Sequence, residues 1–413
     1  MNLLVICPHY APDVAPTGEV MTSIVDALAA RGHRLHIVTA LPWYRHHRID
    51  EGWPHSLVQT EDTEWGTVTR LHPFPTDKSN IAARALAFGG FTGVATAVSM
   101  RPGLRPDAVL VMSPPLILGL AGWLAARRWR VPMVFNIQDV FPDVAVEVGA
   151  IRNRRVIAGA QWLERFLYRR SDAVTVLSDD LRDNLAAKLA GHQPERVRVI
   201  PNFVDTDRIQ PATRNNSYRD ELGLGDRTVV MYAGNIGYSQ SVELLVEAAR
   251  RFADRDDVVF VVNGSGSGRD AVVERAAGLD NLVFVGLQPK ERLPEVLAAG
   301  DIHTVLLRRG LARSSVPSKM YSILASGRPC VASVDDGTEV ARSLADADAG
   351  ISVPPEDADV FCNALEPLLD DPAERSRLGA NGRRWVESWA SPEAVAESYE
   401  RLFEELLQAR SRS

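Results

Sequence analysis

The strongest constraint on the fold is an alternation of short apolar, β-branched runs with helix-period segments, which the chain carries out twice. Its first pass has strand patterns at 3–6, 35–39, 108–112, 133–137, 173–177 and 197–200, with helical patterns at about 18–30 and up to Arg128. After Pro201-Asn202-Phe203-Val204-Asp205 and a polar stretch it restarts at Thr228-Val229-Val230-Met231-Tyr232. Strand patterns then follow at 258–262, 282–285, 302–306, 328–333 and 350–353. Strands joined through helices re-enter a sheet running the same way, so each half should build a parallel sheet covered on both faces. The expected fold class is therefore α/β, two doubly wound Rossmann-like lobes facing a cleft. A length of 413 residues, too great for one ordinary core, agrees with two lobes. The expected domains are residues 1–205, residues 206–390 and a C-terminal helix at 391–413. Val395, Tyr399, Leu402, Phe403 and Leu406 give that helix an apolar side with which to cross back to the first lobe.

Composition narrows the function classes. A net charge of -7 argues against a general nucleic-acid partner. Arginines nevertheless cluster at 127, 128, 130, 152, 154, 155, 165, 169 and 170, facing something anionic or merely solvent. Three cysteines, Cys7, Cys330 and Cys362, make neither a disulfide framework nor a metal spacing, and imply a reducing cytosol. The start, running straight into a strand at 3–6, has none of the parts of a signal peptide. The apolar stretch 81–100 is interrupted by Arg84 and small polar residues, and reads as a packed or interfacial helix rather than a membrane span.

Ligands of open parallel sheets sit beyond the carboxyl ends of the strands, which directs attention to the loops there. Most informative is Val316-Pro317-Ser318-Lys319, a proline-started helix closed by Gly327 and Pro329. The unpaired N–H groups of such a start, with Ser318 and Lys319, form an anion site. Lys319, with Arg313 and Arg308 upstream, is the candidate to neutralise a diphosphate and the charge developing on a leaving group. An ordinary surface helix is the competing reading.

Two glycine-rich loops follow strands of the second half. One carries Gly234, Asn235, Gly237 and Gln240, and the other carries Gly264. The second loop resembles a dinucleotide fingerprint, but Arg269 occupies the last glycine position and no acidic residue ends the next strand. In the first half, a proline-rich loop carries His9, Thr17 and Gly18, where the backbone can approach a ligand; plain stiffening by proline is the alternative. Gln138 and Asp139 end the strand 133–137, and Asp139 either orients or deprotonates a hydroxyl or merely caps a turn. Glu339 either reaches the ligand or complements a helix start.

Taken together, four segments resemble the GT-B glycosyltransferases of family 4, over nearly the whole chain. They are Leu28-Ala29-Ala30-Arg31-Gly32-His33, Ile200-Pro201-Asn202-Phe203-Val204-Asp205, Ala233-Gly234-Asn235-Ile236-Gly237 and Val316-Pro317-Ser318-Lys319. The nearest branch is similar to fucosaminyltransferases of cell-surface polysaccharide assembly. The resemblance implies a hexosyltransferase-type enzyme that moves a sugar, with retention and no obligatory metal or other cofactor, from a nucleotide diphosphosugar in the second lobe to an acceptor in the first. UDP-sugars rank ahead of GDP-sugars as donor. Catalytic roles fall on Asp139 and Lys319. Donor contacts fall on Gly234, Asn235, Gly237, Gln240, Gly264, Arg313, Ser318, Lys319 and Glu339, and the acceptor side on His9, Thr17, Gly18 and Gln138. Against the family pattern, Ser314 and Ser322 replace two glutamates, Asn235 and Gln240 replace an arginine and a lysine, and Gln138 replaces a histidine.

The expected activity is elongation of a lipid-linked saccharide or glycolipid in the cytoplasm. Peripheral contact with the inner face of the plasma membrane is assigned to Trp123, Trp129, Trp162 and Tyr168 among their arginines, with ordinary solvated helices around buried tryptophans as the alternative. A nucleotide-sugar epimerase of the same fold, a non-catalytic nucleotide-sugar-binding partner and a two-lobe dehydrogenase are the alternatives.

Overall fold

A computed structural model describes residues 1–46, 48–54, 56–75, 81–143, 146, 151–189, 194–310 and 319–412. The chain forms two compact units, Met1–Asn202 with Val395–Ser413, and Phe203–Ala394.

The first unit holds an eight-stranded sheet built from β1 (Asn2–Ile6), β2 (Arg34–Ala40), β3 (Val58–Thr63), β4 (Gly66–Leu71), β5 (Ala108–Ser113), β6 (Met133–Ile137), β7 (Ala173–Val176) and β8 (Val197–Val199). Its order is β3-β4-β2-β1-β5-β6-β7-β8, parallel throughout except for the β3–β4 hairpin. Residues such as Leu4, Ile6, Val109, Val111, Phe135 and Val174 are fully buried, as continuous apolar strands covered on both faces must be. The segment 81–100 forms the helix Ile81–Ser99, whose Phe91, Ala95 and Val98 enter this core. No helix among the described residues is long and apolar enough to cross a membrane.

The second unit has β9 (Thr228–Ala233), β10 (Val258–Asn263), β11 (Leu282–Val285), β12 (Ile302–Leu306), β13 (Cys330–Ser333) and β14 (Gly350–Val353), all parallel, in the order β11-β10-β9-β12-β13-β14. Both units are thus Rossmann-like and doubly wound. The terminal helix Pro392–Ser411 packs into the first unit from Val395 onward. There the Tyr399 hydroxyl accepts from the Asn136 amide at 2.8 Å and Arg410 pairs with Asp172 at 3.0 Å. All three cysteines are free and buried.

Sequence periodicity missed the hairpin Val58–Thr63/Gly66–Leu71. Its edge strand, Val-Gln-Thr-Glu-Asp-Thr, is half exposed and polar after its first residue, so it offers no apolar run to detect.

Candidate active site

In the second unit β9 and β12 are neighbours whose connections leave in opposite directions, so the loops there diverge and open the sheet to a ligand. The loop after β9 and the loop after β10 are laced together by backbone bonds. Gly234 N–H donates to Asn263 O, Ile236 N–H to Ser265 O and Gly268 N–H to Ile236 O, each at 2.9 Å. Only glycine allows this closeness: a Cβ on Gly264 would lie 1.9 Å from the Gly234 carbonyl oxygen, and Gly234 itself has φ +144°.

The helix Lys319–Ala325 points its first side chain at the same loops. Lys319 Nζ lies 3.2 Å from where a Gly234 Cβ would sit, donates to the Tyr232 hydroxyl at 2.9 Å, and stands 4.1 Å from that ring's centroid. The Tyr232 hydroxyl in turn donates a hydrogen bond to the Asn235 carbonyl at 2.5 Å. Desolvation pulls the Lys319 pKa down to about 8, and no carboxylate among the described residues pairs with it. An amine held out of water without a counter-ion costs free energy that an arriving anion offsets. Tyr232, which orients that amine, was legible in the sequence only as the end of a strand.

The other expected donor residues divide. Gln240 Oε1 accepts the Gly237 N–H at 2.9 Å, so its amide oxygen is committed to closing the loop. The Asn235 carbonyl is taken by Tyr232. Glu339 begins the helix Glu339–Ala347, is nearly buried, and pairs with Arg342 at 3.0 Å. Arg308 is already neutralised by Glu243 at 2.7 Å and Glu356 at 2.9 Å, which corrects its expected role beside Lys319. Arg313 and Ser318, with the rest of 311–318, lie outside the described residues.

In the first unit the corresponding divergence falls between β1 and β5. A cavity of about 690 Å³ opens there, walled by Pro8 and His9 from one loop and by Pro16 and Thr17 at the start of the helix Pro16–Ala30 that follows it, by Pro114, Pro115 and Leu116 from the other side, and by Trp43, Phe74, Phe88 and Phe141. The helix Arg154–Arg170, capped by the Asn153 side chain, adds Ala160 and Leu163. Asp139 also lines the cavity. No described residue hydrogen-bonds its carboxylate, and desolvation raises its pKa.

His9 is held from every side. Its Nδ1 bonds Asp13 Oδ2 at 2.7 Å, its ring stacks on Trp43 at 5.8 Å, and the edge of Tyr44 meets it at 5.3 Å. Asp13 has a side chain only 1% exposed, and it accepts the Tyr44 backbone N–H at 3.1 Å. Gly18 lies behind, where a Cβ would come within 2.9 Å of the His9 Cβ. Gln138 does not wall the cavity; its amide donates inward to Asn136 Oδ1 at 2.8 Å, away from the acceptor side expected of it. Asp13, Trp43 and Tyr44 were missed in the sequence, because a His–Asp spacing of four is uninformative inside a loop.

The aromatic set assigned to a membrane surface also needs correction. Tyr168 is buried and donates to Glu164, Trp129 donates to the Ser99 carbonyl, and Trp123 packs edge-on against Phe166. Trp162, at 63% exposure, is the exposed member of the four.

One family profile, "Glycosyl transferase 4-like domain", matches residues 17–202, and a second, "Glycosyl transferases group 1", matches residues 227–371. The chain belongs to the GT-B glycosyltransferases of family 4. It is an enzyme of the hexosyltransferase type. The putative colanic acid biosynthesis glycosyl transferase WcaI of Escherichia coli (strain K12) is 29% identical, with 89% of this chain and 92% of that protein covered. The α-D-kanosaminyltransferase of Streptomyces kanamyceticus is 32% identical, with 54% of this chain and 57% of that protein covered. Among solved structures, Anabaena Alr3699/HepE in complex with UDP shares the fold at a TM-score of 0.69. It is 14% identical, with 98% of this chain and all (100%) of that one covered.

Proposed function

We propose that this glycosyltransferase moves a sugar from a nucleotide diphosphosugar, a UDP-sugar before a GDP-sugar, to a lipid-linked saccharide or glycolipid acceptor of cell-surface polysaccharide assembly. The observation that carries the reading is Lys319, a desolvated amine without a carboxylate partner among the described residues, set against two laced glycine loops at a switch point. A diphosphate supplies the missing negative charge, and the lysine stabilises the leaving group as its charge grows. The UDP complex of Alr3699/HepE and the colanic acid biosynthesis named for WcaI support the same reading. On the acceptor side, a cavity walled by proline, phenylalanine and tryptophan suits the apolar part of a lipid carrier, with Asp139 orienting the hydroxyl.

The finer points belong to the same proposal. Transfer proceeds with retention and without an obligatory metal. The enzyme works in the cytoplasm, at the inner face of the plasma membrane, within the branch that resembles the fucosaminyltransferases.

The test measures thermal stabilisation of wild type and Lys319→Ala by UDP-, GDP-, ADP- and TDP-sugars, followed by transfer of labelled sugar to a cell lipid extract. Stabilisation by one nucleotide class, lost in the variant, together with label in the lipid fraction, is the expected result. Interconversion of the donor without acceptor would make the chain an epimerase. Binding without turnover would make it a non-catalytic partner.

A further inference from the structure

Only four of the 46 basic side chains are lysines, Lys78, Lys188, Lys290 and Lys319, so the glycine loops of the second unit face a lysine in a chain that otherwise uses arginine. The difference is chemical. A guanidinium stays charged at any pH a protein meets, whereas an amine can release its proton and become a nucleophile. Lys319 is placed for the second behaviour. Its Nζ donates to the Tyr232 hydroxyl at 2.9 Å and stands 4.1 Å from that ring's centroid, and no carboxylate among the described residues holds its positive charge. The titratable groups beside it, Tyr232 and Cys330, are neutral at neutral pH, because burial raises the phenol and pushes the thiol up to about 12. With its own pKa pulled down to about 8, Lys319 has on the order of a hundredfold more free amine at neutral pH than an ordinary lysine. Next to this nitrogen the loops leave room for a phosphate. The Asn235 N–H, one peptide beyond Gly234, has no acceptor among the described residues, and the Asn235 carbonyl is bound by the same Tyr232 hydroxyl that holds the amine.

We propose that Lys319 of the donor-free enzyme forms imines with small phosphate-bearing aldehydes, so that the site is open to reversible covalent inhibition. In the step, the nitrogen lone pair bonds to the aldehyde carbon. The carbonyl oxygen takes up the two hydrogens that the amine gives up and leaves as water while the C=N bond forms. Hydrolysis reverses the step, and no oxidant or reductant takes part. The phosphate of the aldehyde lies against the glycine loops, where backbone can approach it closely.

The proposal stands on the surroundings of the amine and not on the donor reading, but the two meet at one nitrogen. A bound diphosphate fills the loops, and its negative charge returns the proton to Lys319, which removes the nucleophile. Donor and aldehyde therefore exclude one another.

The experiment incubates the full-length protein with pyridoxal 5′-phosphate at neutral pH, reduces the imine to a stable secondary amine with borohydride, and reads the modified fraction of each lysine by peptide mass spectrometry. Parallel samples contain pyridoxal, a panel of nucleotide sugars, or the Lys319→Arg variant. Lys319 should carry about tenfold more label, or better, than exposed Lys290 and than Lys188, whose ammonium is paired with Glu164 at 2.7 Å and Asp143 at 2.8 Å. Its labelling should be half complete near pH 8. Pyridoxal, which lacks the phosphate, should label it about tenfold less, and equal labelling by the two would overturn the phosphate recognition. Lys319→Arg keeps the charge and should lose the label; if that variant does not fold, the other lysines of wild type provide the comparison. Label spread evenly over the lysines, or Lys319 left unmodified while a nucleotide sugar still raises the melting temperature, would overturn the reactive amine and leave the donor reading in place. Selective labelling of Lys319 that no nucleotide sugar prevents, in a protein that none of them stabilises, would keep the reactive amine and overturn the donor reading.

Discussion

Lys319 is placed at a cost to the empty protein, and Lys319→Met measures that cost. Its pKa falls from the usual 10.5 to about 8 because burial opposes the charge. Each tenfold loss of proton affinity is about 1.4 kcal/mol, which caps the penalty of keeping Lys319 charged in the fold at about 3 kcal/mol. The residue retains partial exposure and Tyr232 accepts one of its hydrogens, so about 1–2 kcal/mol is the expected net figure. Methionine has a similar length and no charge, so the variant should be more stable than wild type at pH 7 by that amount.

The pH dependence fixes the sign. Below about pH 8 the lysine is protonated in both states and the penalty is complete. Between about 8 and 10.5 the folded form has released its proton while the unfolded chain still holds it, so wild-type stability rises relative to the variant. Above that window the two should converge. Urea titrations of both proteins at neutral and strongly alkaline pH read this directly, since every other group titrates alike in the pair. A methionine variant less stable at pH 7, or a gap that ignored pH, would refute the desolvated-amine account. The same variant should lose stabilisation by donor, the usual exchange of stability for function at a binding site.

Gly264→Ala forces a methyl to within 1.9 Å of the Gly234 carbonyl oxygen; melting should show a loss of about 1–3 kcal/mol and no response to UDP-sugars, and unchanged melting would remove the steric argument. Lys188→Met strands Glu164, a buried carboxylate 2.7 Å from that ammonium on the helix that walls the cavity. The loss should be about 3–5 kcal/mol at neutral pH. Burial already raises the Glu164 pKa, so the deficit should shrink as pH falls and the carboxyl protonates; a deficit constant with pH would count against it. Charge reversal of Arg154, Arg155, Arg169 and Arg170 to glutamate should abolish sedimentation with anionic vesicles, and undiminished sedimentation would rule out the membrane contact.

Much of the fold was legible because it depends on local periodicity. Strand patterns with helices between them can satisfy their backbone and bury both faces only as a parallel, doubly wound sheet, so two such passes predicted two Rossmann-like units and the loops where ligands bind. Lys319 and the glycines 234 and 264 were legible for the same reason, since a chain that must turn sharply after a strand and approach a ligand uses glycine, and a diphosphate needs a cation. Side-chain commitments were not legible. Whether Arg308 is free or held by Glu243 and Glu356 depends on neighbours tens of residues away, and the Asn136 amide that takes Gln138 is itself fixed by Tyr399, 263 residues along the chain. The burial of Asp13 behind His9, the desolvation of Lys319 over Tyr232 and the loss of Tyr168 to the core are likewise consequences of packing. Sequence determined which backbone could form and where its strands end. Only the folded chain decided which charges remained unpaired there, because pairing and desolvation depend on distance in space and not on separation along the chain.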